Sequence, residues 1–154
     1  MQLLRSALQS HRLFEGIRDE GLDRIASIAT EESHAPDAFV FREGEPGDRL
    51  YLILEGKVRV SRQMPGMGEE ALAVLGPGEA FGEMSLFDDA ARSADARVQE
   101  PCRLLALRRD AFEELLLLDR DIAYEILWNM VRVLTGRLRD TNDEMTFLSL
   151  TGRF

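Results

Sequence analysis

Residues 41–60 read FREGEPGDRLYLILEGKVRV. Leu50, Leu52 and Leu54, followed by Val58 and Val60, occupy every second position, the period of a strand whose alternate side chains share one face. The run follows Glu-Gly-Glu-Pro-Gly-Asp at 43–48 and is broken by Glu55 and Gly56, residue types that turn a chain. Working outward, Phe39 and Phe41 upstream and Leu72 and Val74 downstream repeat the alternation. Pro-Gly-Met-Gly at 65–68 and Gly-Pro-Gly at 76–78 supply further turns. A last strand is predicted over 102–107. Many short strands joined by regular turns predict a roll or barrel.

On either side of these strands the apolar period changes to three and four. Leu4, Ala7 and Leu8, then Leu13 and Phe14, then Leu22, Ile25, Ile28 and Ala29 predict short amphipathic helices within residues 1–31, punctuated by Gly16 and Gly21. Residues 111–118 turn helical, and Asp121 opens a long helix to about residue 148 with no proline in it. Along that helix Leu127, Val131, Leu134, Leu138, Thr141, Met145 and Leu148 alternate spacings of four and three, the seam of a coiled coil. Ile126, Met130 and Val133 form a second stripe. Two stripes imply that one faces the roll and the other a partner helix, so a homodimer is expected. The predicted class is α+β: an antiparallel β-roll, jelly-roll-like, with N-terminal helices and a long C-terminal helix. It is read as one domain over 1–154, with helices at 1–34, the roll at 35–110 and helices at 111–154.

Composition narrows the function. The 154 residues carry 19 Lys and Arg against 28 Asp and Glu, a formal charge of −9, so no uniform basic surface exists to neutralise a nucleic-acid backbone. Direct nucleic-acid binding is not expected. An anionic ligand would need a local, shielded basic group, which draws attention to each arginine in an apolar setting. The single cysteine, Cys102, excludes an internal disulfide framework and points to a reducing cytoplasm. With no run of 18 apolar residues and an N-terminus of mixed charge, neither a signal peptide nor a membrane span is predicted.

The segment that carries chemistry is 81–94, FGEMSLFDDAARSA. Gly82 lets the backbone approach a ligand, a short helical turn from Glu83 directs N–H groups outward, and Arg92 offers a planar fork of donors to a phosphate. Ser93 adds a hydroxyl. The Glu83 carboxylate, which repels phosphate, is suited to accept a hydrogen bond from a sugar hydroxyl at the other end of the same molecule. A ligand with both groups is a nucleotide.

This segment resembles the phosphate-binding cassette of cyclic-nucleotide-binding domains, in the spacing from Gly82 to Arg92 and in the Arg-Ser-Ala ending. Residues 41–60 resemble the second and third strands of the same family, including Glu43-Gly44, Gly47-Asp48, Tyr51 and Gly56. The resemblance implies that Gly82 and Glu83 hold a ribose 2′-hydroxyl and that Arg92 and Ser93 hold the cyclic phosphate. Met84, Ser85 and Ala94 belong to the same ligand-binding set. Members of the catabolite activator and Fnr type touch adenine through a Thr-Ser or Thr-Asn pair on the long helix, and Thr141 and Asn142 match it. Ser93, where cyclic-GMP-selective domains often carry threonine, favours cyclic AMP over cyclic GMP. Two departures stand out: Ala91 replaces a common proline, and Asp95 sets a negative charge near an anion, which is expected to reduce affinity. The ending FLSLTGRF at 147–154 resembles the hinge that leads into a helix-turn-helix.

The expected activity is therefore a cytoplasmic, non-enzymatic sensor that binds cyclic AMP and signals through its C-terminal helix. The alternatives are the sensor half of a Crp/Fnr-type regulator cut before its DNA-binding domain, or a dimeric interaction module that has lost its ligand. Hydrolysis of the ligand lacks support, because His11 and His34 stand far apart and no metal-spaced cluster is present to activate water. Arg92 taken alone reads as a surface ion pair with Asp88, Asp89 or Asp95; in its motif it reads as the phosphate ligand.

Overall fold

The computed structural model describes residues 2–151, with side chains to residue 148; the last three residues of the hinge-like ending, 152–154, lie outside the described residues. Helix α1 (Gln2–Gln9) and α2 (Asp19–Ile28) flank a 3₁₀ turn, Arg12–Phe14. Strands follow as β1 (Thr30–His34), β2 (Phe39–Phe41), β3 (Arg49–Met64), β4 (Gly68–Leu75), β5 (Ala80–Phe81) and β6 (Asp95–Arg108). Helices α3 (Arg109–Leu118) and α4 (Arg120–Thr151) complete the order. The strands form one six-stranded antiparallel sheet, β1-β6-β3-β4, with β2 added to β6 and β5 to β3, and it curls into the predicted roll with helices at both ends of the chain.

Two strands are much longer than their sequence patterns suggest. β3 runs through Glu55 and Gly56 without reversing, because the extra residues there are taken up as bulges where its register against β6 shifts. β6 begins at Asp95 rather than near Cys102, pairing Asp95 with Ser61 at one end and Arg108 with Arg49 at the other. β1 starts at Thr30, where polar residues gave no alternation; it is an outer strand held to β6 by register from Thr30↔Ala106 to His34↔Cys102.

The alternation of residues 50–54 has a double meaning in three dimensions. Leu50, Leu52 and Leu54 face the helices and join Leu105 and Leu107 of β6, Leu13, Phe14, Leu22, Ile25 and Phe112 in one core. Tyr51 and Ile53 point the other way and join Leu104, Ala106, Val58, Val98 and Phe81 inside the roll. A strand buried on both faces reads as a nearly continuous apolar run, as this one does.

Helix α4 uses one stripe as predicted: Ile126, Met130 and Val133 are buried, the first completely. The seam residues Leu127, Val131, Leu134, Leu138 and Met145 are 41–61% exposed. Its hold on the N-terminal elements is polar as well as apolar. The buried Asn129 amide donates to the carbonyls of Leu13 (2.9 Å) and Glu15 (2.8 Å), at the 3₁₀ turn. Among the described residues no helix is long and apolar enough to cross a membrane.

Asn129→Leu strips the hydrogen-bond donor from two carbonyls at a buried contact. At about 1–3 kcal/mol for an unsatisfied buried acceptor, the expected destabilisation is about 2–4 kcal/mol, measured by urea unfolding.

Candidate functional site

The segment 81–94 folds back over the mouth of the roll and, with Phe41, Val60 and Arg137, lines a cavity of about 420 Å³. Gly82, Glu83, Met84, Ser85, Arg92, Ser93 and Ala94 all border it. The predicted short helix is a single 3₁₀ turn, Glu83–Leu86, closed by the Ser85 amide donating to the Gly82 carbonyl at 3.1 Å.

Arg92 is the centre of the arrangement. Its side chain is buried, at 7% exposure, yet among the described residues it has no ion pair. Nη1 donates to Ser85 Oγ at 2.8 Å and Nη2 to the Arg49 carbonyl at 2.9 Å, while the buried Nε–H has no acceptor. The guanidinium lies 4.1 Å above the Phe41 ring and 5.9 Å from that of Tyr51. Aromatic faces and neutral oxygens leave the positive charge intact. Burial pushes the Arg92 pKa downward, the sign of a cation short of a counter-charge. The carboxylates proposed as its surface partners are engaged elsewhere: Asp89 by Arg109, Asp88 by the Ala90 amide, and Asp95 by the Glu43 amide at 2.7 Å. Asp95 is itself buried and does not line the cavity, so it serves as a clamp on the 43–48 loop. The amide is a neutral donor, so the carboxylate keeps its charge beside Ala94 of the cavity wall.

That loop fixes Arg92 from behind. The Gly44 amide donates to the Arg92 carbonyl and the Arg92 amide to the Glu45 carbonyl, both at 2.8 Å, and Pro46 bridges Ala91. Gly47 packs so closely that a Cβ would stand 2.4 Å from Ser85 Oγ and 2.9 Å from Arg92 Nε. Gly82 has φ +78°, and a Cβ on it would stand 2.5 Å from Arg92 Nη1. Gly47 makes room for the Ser85–Arg92 pair and Gly82 for the guanidinium itself.

The lining also holds an ion pair. Glu83, with 17% of its side chain exposed, forms an ion pair and hydrogen bond with Arg137, which reaches down from α4. The site thus presents a buried cation without a counter-charge and a carboxylate held by a cation from α4.

Residues 31–119 match the family model described as the cyclic nucleotide-binding domain. The chain belongs to the cyclic nucleotide-binding domain family. Among characterised relatives, this domain is 35% identical over 139 residues to the CRP-like cAMP-activated global transcriptional regulator of Mycobacterium tuberculosis, covering 90% of this chain and 60% of that protein. It is 40% identical over 137 residues to the Cyclic AMP receptor protein of Thermus thermophilus, covering 89% and 62%. The chain therefore spans about three fifths of the length of these relatives. The crystal structure of the N-terminal domain of a transcriptional regulator from Streptomyces coelicolor superposes with a TM-score of 0.81 at 37% identity, covering 89% of this chain and 95% of that one.

Two of the predicted ligand-binding residues stand apart from the rest. Beyond Val133 the residues of α4 are exposed as far as Phe147. Thr141 and Asn142 lie on this part, outside the cavity lining, and the Thr141 hydroxyl donates to the Arg137 carbonyl at 2.9 Å. In their place the domain brings Arg137, one turn earlier, to the cavity. Sequence reasoning missed it, although its position four residues before Thr141 puts the two side chains on one helix face. The histidines hold local structure: His11 Nδ1 accepts from the Leu13 amide, and His34 Nε2 meets Glu32 Oε1 at 3.0 Å.

Gly82→Ala strains a left-handed backbone and drives a methyl group into the guanidinium. A stability loss of about 1–3 kcal/mol is expected in chemical denaturation, together with weakened binding of cyclic nucleotide.

Proposed function

We propose that this chain is a cyclic AMP sensor. The observation that carries the proposal is the buried Arg92 guanidinium, without a carboxylate partner, bordering a cavity of nucleotide size. An anionic cyclic phosphate at that end supplies the missing counter-charge, with Ser93 as a second donor. At the other end Glu83 accepts from the ribose 2′-hydroxyl, and the base extends toward α4. The names of the relatives, cAMP-activated and cyclic AMP receptor, support cyclic AMP among the cyclic nucleotides.

Signalling proceeds through α4. Arg137 ties this helix to Glu83, so a ligand hydroxyl that takes up Glu83 changes what the helix is tied to. Any such redistribution is a shift between two arrangements, with the ligand preferring one. Thr141 and Asn142 offer a hydroxyl and an amide to the adenine edge once α4 or a second copy brings them over the base. The exposed seam of Leu127, Val131, Leu134 and Leu138 supports a homodimer along α4, since an apolar stripe of this length is otherwise left in water. The resemblance to a DNA-binding regulator's sensor half supports a role upstream of transcription, exerted through another domain.

Two measurements test the reading. Arg92→Ala removes a charge-assisted contact worth about 1.5–3 kcal/mol, so cyclic AMP affinity by calorimetry should fall tenfold to over a hundredfold. Equal affinity in the two proteins refutes the assignment. Leu134→Glu with Leu138→Glu should convert a dimer to a monomer in sedimentation equilibrium; a double variant that sediments like the wild type overturns the α4 interface.

A further inference from the structure

Arg109 is the first residue of α3, where a cation meets the positive end of the helix dipole and gains nothing from the helix itself. Its side chain turns instead to the acidic tip of the cassette. Nη2 pairs with Asp89 Oδ1 at 2.8 Å, and Nη1 donates to the carbonyls of Asp88 and, at 3.4 Å, Ser85. The Arg109 amide donates to the Asp48 carbonyl at 2.7 Å, so the 43–48 loop, the cassette and α3 meet at this one residue.

The tip matters because of where it stands. Asp88 lines the same cavity as Arg92, and Asp89 follows it, so two carboxylates sit beside a site whose only buried charge is positive. In a chain of formal charge −9 they add to a field that opposes an incoming anion. Asp88 is drawn aside by the Ala90 amide at 3.1 Å, but that neutral donor leaves its charge in place. Arg109 is the cation that touches the tip.

We propose that Arg109 is a positioning residue for anion binding: it offsets the charge of Asp89, halving the net charge of the Asp88-Asp89 tip, and pins the cassette carbonyls, so that the acidic rim repels the ligand's phosphate from Arg92 less. This rests on the reading of the cavity as a cyclic-phosphate site. Because Asp89 is almost fully exposed, the effect acts through the field at the rim and is screened by salt.

The test is calorimetry with cyclic AMP on the full chain at low salt, about 20 mM, and at about 0.5 M. Arg109→Gln should weaken binding about three- to tenfold at low salt, and the gap should close at high salt. Adding Asp88→Asn and Asp89→Asn to that variant should restore affinity, and Arg109→Lys, which keeps the charge but not the fork, should lie between wild type and Arg109→Gln at low salt. A purely structural role predicts none of the salt dependence or the restoration. Wild-type affinity in Arg109→Gln, or an unrestored triple variant, overturns the proposal. If Arg109→Gln does not fold, Asp88→Asn/Asp89→Asn in the native background decides: it should tighten low-salt binding about two- to threefold, and unchanged affinity overturns the proposal. A wild-type chain that binds no cyclic AMP fails the underlying reading first, which distinguishes that failure from a failure at Arg109.

Discussion

A guanidinium taken out of water without a carboxylate to meet it loses several kcal/mol of hydration, and the fold around Arg92 is organised to bear that loss. Ser85 Oγ and the Arg49 carbonyl satisfy two of its donors, Phe41 lies beneath it, and backbone bonds from Gly44 and Glu45 hold the chain on either side of its α-carbon. None of these carries a negative charge. The hydrogen bonds set the position of the cation while leaving its electrostatic demand open, which is the condition for a site that discriminates in favour of an anion.

The same constraint explains features that look unrelated in one dimension. Gly47 and Gly82 lie 35 positions apart in sequence, yet a Cβ on either would collide with the same side chain, Arg92 together with Ser85 Oγ at Gly47 and Arg92 at Gly82. Asp95 is buried for a reason of its own: it anchors the loop that presses on Arg92 from behind. The two long strands supply the rigid frame, since β3 and β6 run beside each other from Arg49↔Arg108 to Ser61↔Asp95 and carry the cores on both of their faces.

Much of this was legible in the sequence because it is local. Alternation at 50–54, threes and fours at 126–133, and the spacing of Gly82, Glu83 and Arg92 are short-range patterns, and each corresponds to an element or wall found in the fold. What sequence reading missed is long-range. β1 is polar and exists by pairing with β6, so no apolar period announces it. Glu55-Gly56 reads as a turn but is absorbed as a bulge, because the partner strand continues past it. Arg137, Arg109 and Asn129 look like ordinary polar residues on helices until the fold sets them against Glu83, the cassette tip and the 3₁₀ turn. The sequence shows the charge of Asp95 but neither its burial nor its backbone partner in the 43–48 loop.

Asn129 fastens α4 about a third of the way along its length, Met130 and Val133 pack just beyond it, and Arg137 makes a last polar tie to Glu83 before the helix runs on to Thr151. At 1.5 Å of rise per residue, the stretch after Arg137 is about 21 Å long. A tilt of about 8° at that tie would carry its tip by about 3 Å, roughly the width of an atom. Displacements too small to disturb the packing of Ile126 or Met130 thus become, at the far end, large enough to break or make contacts, and the molecule amplifies by length alone.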